Sequence, residues 1–143
     1  MGLYVPLLEF NPVTDDLANW TNSAGLGLQT QIVMIVKRGH EHQWMSAGYP
    51  DAERAILHLN KLEGRTSIVR MKAGARGPMH THEGAEHAYV LSGKVDVGGN
   101  VLSAGDYLYT EAGEIHALVA LEDSVIFSTT ERAIRVVETQ AAA

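Results

Sequence analysis

The sequence predicts an all-β protein, a small barrel or sandwich with an extended N-terminal arm, on three observations. The 143 residues hold fourteen Gly but only two Phe. Apolar runs are short and broken by Gly pairs and Gly-Asp turns, as in chains of short strands. In the second half these runs recur at short, regular intervals, the pattern of a closed or double-layered β structure.

Residues 1–28 hold Pro6 and Pro12 among scattered apolar side chains and read as an arm packing on the barrel or on a neighbouring subunit. Gln29–Val36 begins polar and becomes continuously apolar with β-branched residues, which suits a strand. Asp51–Leu59 places Ala52, Ala55, Ile56 and Leu59 at helical spacing, yet its composition also fits a strand. From Thr66 onward strands are expected at Ser67–Met71, Met79–His82, His87–Ser92, Lys94–Val97, Val101–Leu102, Tyr107–Thr110, Ile115–Leu121, Ser124–Thr129 and Ile134–Glu138. The intervening segments, such as Ser92-Gly93, Gly98-Gly-Asn100 and Ala104-Gly-Asp106, carry residues that tolerate tight turns. Without a repeat or a Pro/Gly/Ser-rich linker, residues 1–143 read as one domain.

Composition narrows the chemistry. With no Cys, thiolate metal sites, disulfides and cysteine nucleophiles are excluded, so any metal must be held by His, Asp or Glu. A formal charge of −6, with no Lys/Arg cluster, argues against a nucleic-acid partner. The longest apolar runs are far shorter than the roughly 20 residues of a membrane helix, and the first residues lack a signal-peptide pattern. A cytoplasmic protein without a membrane partner is the expectation.

Five of the seven His fall in two tight groups. In Met79-His-Thr-His-Glu-Gly-Ala-Glu-His87, His80 and His82 are two apart, so on a strand both imidazoles leave the same face and can grip one metal. After a Gly-containing bend, Glu86 and His87 return alongside, and strand alternation lets only one of them point inward without a bulge. His116 opens a further apolar strand, a suitable position for a ligand from across a barrel. Three or four such donors suit zinc, ferrous iron, manganese or nickel. The pair His40 and His42 follows the charged Lys37 and Arg38 and reads as surface or pocket rim.

These spacings resemble the two motifs of the cupin superfamily. Gly74, His80, His82, Glu86 and Gly93 stand in the register of the first motif (74–93), and Gly105, Gly113 and His116 in that of the second (105–120). Glu111 replaces the second motif's Pro and Ala120 its Asn; neither position is a ligand in the family. The resemblance covers residues 66 to 130 and implies a cupin double-stranded β-helix with a metal inside the barrel mouth, usually in a homodimer. Within the superfamily the chain is similar to cupin cyclases of aromatic polyketide (antibiotic) biosynthesis and to cupin dioxygenases that cleave diketones or aryl ketones. The all-histidine site of such a cyclase would be met by His80, His82, His87 and His116, whereas the register of the general motif selects Glu86 over His87.

The expected activity is a metal-dependent polyketide cyclase, with one divalent metal per chain, zinc favoured. It would close and aromatise a ring of a poly-β-ketone through a metal-stabilised enolate. If Glu86 is not a ligand it is the first choice for general base, with His40 or His42 second. With ferrous iron the same substrate mode would instead lead to oxygen-dependent cleavage of a β-diketone or aryl ketone. A non-catalytic zinc-binding sensor is the further alternative. Trp44, Tyr89, Tyr107, Tyr109 and Phe127 are candidates for a pocket lining, subject to strand phase.

Overall fold

The computed structural model describes residues 34–137. The expected arm and most of the expected strand at 29–36 lie outside them. Among the described residues the helical structure is a 3-10 turn at Gly39–Glu41, and the rest of the regular structure is strand. The strands are β1 (Trp44–Ser46), β2 (Ala52–Leu59), β3 (Arg65–Met71), β4 (His80–His82), β5 (Glu86–Ser92) and β6 (Lys94–Val97). They continue with β7 (Asn100–Ser103), β8 (Tyr107–Thr110), β9 (Ile115–His116), β10 (Leu118–Ala120), β11 (Ser124–Thr130) and β12 (Ile134–Val136). No helix among the described residues is long and apolar enough to cross a membrane.

The all-β expectation is met, with three differences of detail. Asp51–Leu59, left open between helix and strand, is a strand from Ala52. Its apolar spacing mimics a helix because both faces are covered: Ala52 faces the core, while Ala55, also buried, lies opposite Trp44 and Ile68. A register shift between Ile56 and His58 blurs the alternation further. The expected strand Ile115–Leu121 is two strands broken at Ala117, whose carbonyl accepts from the Gly98 N–H. Trp44–Ser46 is a strand the sequence did not suggest.

All strand pairs are antiparallel. A six-stranded sheet runs β1-β2-β3-β11-β5-β8, beside two three-stranded sheets, β10-β6-β7 and β12-β4-β9. Register fixes one inner face of the large sheet. Arg54 lies opposite Val69, Val69 opposite Ile126 and Ile126 opposite Val90; one step along, Ser67, Ser128, Ala88 and Leu108 form a parallel row. Directly opposed residues share a face, so β2 turns Ala52 and Arg54 inward, β3 turns Arg65, Ser67, Val69 and Met71, and β5 turns Glu86, Ala88 and Val90.

One end of this face carries the core, where Ala52, Val69, Met71, Val90 and Ile126 pack with Val95 and Ala120 from the β10-β6-β7 sheet. Val90 and Val95 are fully buried, each stabilising the fold by about 1.5–3 kcal/mol. The other end carries Arg54, Arg65 and Glu86, the charged residues of the inner face, and there the sheet faces β4 and β9.

Candidate metal centre

β4 and β9 pair with His80 directly opposite His116. His82, two residues along β4, leaves the same face as His80. The three imidazoles pack with ring centroids 4.4 to 5.3 Å apart. Across from them the first residue of β5, Glu86, sits between the buried Thr130 and Thr110 of its neighbouring strands and points inward. Its Oε2 lies 3.0 Å from His82 Nε2 and 3.6 Å from His116 Nε2. One donor atom from each of His80, His82, Glu86 and His116 falls within 4.8 Å of all the others. Two metal bonds of about 2.1 Å set opposite one another span about 4 Å, so the donors need close by only about half an ångström to hold a first-row cation.

Its chemistry fits such a cation. His82 is fully buried, yet neither of its ring nitrogens has a hydrogen-bond partner, although Nε2 is so near the Glu86 carboxylate. A buried polar nitrogen left this way is costly unless something else satisfies it, and a cation between the two groups would do so. His80 donates from Nδ1 to the Pro78 carbonyl at 2.9 Å, which leaves the Nε2 lone pair free to ligate. Burial holds the His80 imidazole below its ordinary value, the nearby His116 and His82 rings add to this, and the Pro78 bond opposes it. The ring is thereby kept in the neutral form that binds metal. For Glu86, burial alone would raise the carboxyl, but the facing imidazoles of His116 and His82 outweigh it and bring it from 4.5 down to about 2. The site therefore offers three imidazoles and one ionised carboxylate.

His87 does not join them, which corrects the all-histidine set. Because Glu86 points inward, alternation turns His87 to the outer face. There its Nδ1 is 2.7 Å from the Tyr107 hydroxyl and its ring meets Tyr109 edge-on at 5.2 Å. Glu86, the first choice for general base should it not be a ligand, stands inside the cluster with the three imidazoles. His40 lies on the exposed 3-10 turn and His42 packs against Trp44; neither borders the cluster or the cavity beside it.

That cavity, of about 180 Å³, opens on His80, Glu86 and His116. Its apolar wall includes Val69, Ala88, Leu108, Leu118 and Ile126. The aromatic candidates are absent from it: Trp44 lies opposite Ala55, and Tyr89, Tyr107, Tyr109 and Phe127 alternate out of phase with Glu86 and Ala88, so all face outward. In their place the sequence reading missed Tyr49, Arg54 and Arg65, which do line the cavity. Parity could have found one of them, because Arg65 is in phase with Ser67, Val69 and Met71 and out of phase with the exposed Arg70. Burial raises the Tyr49 phenol, so it remains a neutral hydroxyl.

A metal-competent cluster at the mouth of a small antiparallel barrel defines a cupin. The chain belongs to the ChrR Cupin-like domain family, whose profile matches residues 32–135. Over 70 residues it is 37% identical to the DNA damage-repair/toleration protein DRT102 of Arabidopsis thaliana, which covers 45% of this chain and 23% of that protein. The chain thus spans less than a quarter of the curated relative it matches. Among solved structures it is similar to KdgF from Halomonas sp., at 30% identity over 71% of this chain and 96% of that one, with a TM-score of 0.59. It is also similar to an acetylacetone dioxygenase from Acinetobacter johnsonii (18% identity, 76% and 80% covered, TM-score 0.66). The polyketide cyclase RemF from Streptomyces resistomycificus is a further likeness (16% identity, 76% and 88% covered, TM-score 0.60). At these identities the last two show a shared fold.

Proposed function

We propose that this chain is a metal-dependent enzyme that acts on a small enolisable carbonyl compound, with His80, His82, Glu86 and His116 as the metal ligands. The observation that carries this reading is the opening of the His80, Glu86 and His116 donors onto an apolar-walled cavity. A divalent cation held there would act as a Lewis acid, drawing electron density from a carbonyl oxygen and so easing loss of the neighbouring proton. The chain's own residues supply the rest. The apolar wall keeps water from the reacting carbon, the close walls hold the substrate in one orientation, and the neutral Tyr49 hydroxyl, which donates only to the weak acceptor Met71 Sδ at 3.9 Å, can turn its proton to the substrate instead.

Size bears on which carbonyl compound. A volume of about 180 Å³ is below the roughly 300–1,000 Å³ of pockets that take drug-sized ligands. It suits a diketone-sized molecule better than a poly-β-ketone folded back on itself for ring closure. Two proteins that share the fold are named for carbonyl substrates, an acetylacetone dioxygenase and a polyketide cyclase, and of the two the former's substrate is the better match to this cavity.

The test is to measure the metal content of protein purified without added metal, and then to assay zinc- and iron(II)-loaded protein in two ways. Oxygen uptake on acetylacetone reports diketone cleavage, and deuterium exchange at the α-carbon of a slowly exchanging small ketone reports proton transfer. Metal-dependent exchange without oxygen uptake is expected of zinc-loaded protein. Oxygen uptake with iron(II) alone would make the chain a dioxygenase of the same substrate class. Fully loaded protein inert in both assays would overturn the enzymatic reading in favour of a non-catalytic metal domain.

A further inference from the structure

Arg54 and Arg65 share the inner face of the large sheet with Glu86 and line the same cavity. Neither has an ion-pair partner among the described residues, whereas the outward Arg70 and Arg135 pair with Glu53 and Glu83. Arg54 donates from Nη1 to the Ala47 carbonyl at 3.4 Å, while its buried Nε has no partner. The Arg65 side chain makes no hydrogen bond among the described residues, and burial, with the charge of Arg54 added to it, holds its guanidinium below the ordinary value. Glu86 is the carboxylate that both of them feel, and it is engaged with the imidazoles of His82 and His116.

A half-buried guanidinium with no counter-ion is costly, and two in one small cavity more so. Glu86 alone does not balance them, and a divalent cation would make the cavity more positive still, in a chain whose formal charge is −6. Positive charge gathered at one internal point of an acidic protein marks a place for an anion. Guanidinium presents a fork of donors that matches a carboxylate in two parallel hydrogen bonds. Ser67 and Ser128, opposite one another on the same face, add hydroxyls to this wall.

We infer that the cavity takes a carboxylate-bearing carbonyl compound, its carboxylate held by Arg54 and Arg65 while its carbonyl end faces the His80, Glu86 and His116 side. This deepens the proposed function and rests on it for the orientation of the carbonyl, but the arginine site stands on its own residues.

The experiment is a binding comparison on the full chain between acetoacetate and acetylacetone, which are nearly equal in size and differ by a carboxylate in place of a methyl ketone. Dissociation constants come from calorimetry or NMR titration of zinc-loaded and metal-free protein. The expected result is at least tenfold tighter binding of acetoacetate to the loaded protein. A preference should persist in the metal-free protein and fall several-fold or more in Arg54→Gln and Arg65→Gln. Arg54→Lys and Arg65→Lys, checked for folding by thermal melting, serve if the Gln variants do not fold and should retain part of the preference. Equal binding of the two probes, or a preference that survives both substitutions, would overturn the carboxylate site and leave the metal reading intact. A preference seen equally with and without metal, and lost in the arginine variants, would uphold the carboxylate site even if the metal reading failed.

Discussion

His82 Nε2 and Glu86 Oε2 lie 3.0 Å apart inside the barrel, yet the imidazole forms no hydrogen bond through either nitrogen. A buried polar nitrogen left without a hydrogen bond beside a carboxylate is costly unless a cation between the two groups satisfies both. His82→Ala should therefore lower zinc affinity about 100-fold or more, since loss even of groups that only orient a ligand costs about 10–100-fold. Glu86→Gln should weaken it in the same direction. His87→Ala, which removes an outward side chain bonded to Tyr107, should leave affinity within about threefold of wild type. Competition titration against a chromophoric chelator measures all three, and loss of stoichiometric zinc in His87→Ala would restore the all-histidine set.

The same carboxylate should mark the acid stability of the metal-free protein. Glu86 titrates at about 2 in the fold against 4.5 ordinarily, because the facing His116 and His82 imidazoles more than offset burial. A depressed carboxyl stabilises the fold fully above its unfolded value and ceases to do so as pH falls through its folded value. The contribution should therefore drain away between pH 4.5 and 2, and its size is on the order of 3 kcal/mol. Urea unfolding of metal-stripped protein across this window should show wild type losing more stability than Glu86→Gln by about that amount. Identical slopes for the two proteins would mean that the carboxylate is not held by the imidazoles.

Much of this was legible in the sequence because alternation and turns are local. The strands Lys94–Val97 and Tyr107–Thr110 match the expectation residue for residue, each being bounded by turn segments such as Ser92-Gly93 and Ala104-Gly-Asp106. His80, His82 and His116 were legible because a two-residue step on a strand has one geometric outcome. The choice between Glu86 and His87 was not, since it depends on which parity of β5 faces the core. That parity is set by the pairing of Glu86 with Thr130 and Thr110, contacts remote in sequence. The same unknown phase made Tyr89, Tyr107, Tyr109 and Phe127 look like pocket residues when they line the outer face. Arg54 went unnoticed because it stands in a segment whose period was itself ambiguous, and its meaning depends on the absence of a partner, which only packing reveals.

The glycines of the two motifs differ in what fixes them, and this can be measured. Gly93, at the tight turn from β5 to β6, has φ +79°, and a Cβ there would come within 2.2 Å of the Asp123 carbonyl oxygen and 2.4 Å of Ser124 Oγ. That hydroxyl is itself engaged, donating to the Glu122 carbonyl at 2.7 Å and accepting from the Lys94 N–H at 3.0 Å. Gly105, in the turn before β8, has a similar φ of +92°, but the nearest atom to a new Cβ is the Tyr89 hydroxyl at 4.0 Å. Gly105→Ala should therefore cost only the strain of a left-handed backbone, about 1–2 kcal/mol. Gly93→Ala adds a backbone clash and the loss of the Ser124 bonds, for a total of about 4 kcal/mol or more. Urea unfolding monitored by far-ultraviolet circular dichroism gives both values. Equal losses would mean that the approach of β11 to Gly93 relaxes freely, so that backbone conformation alone selects glycine at the two turns.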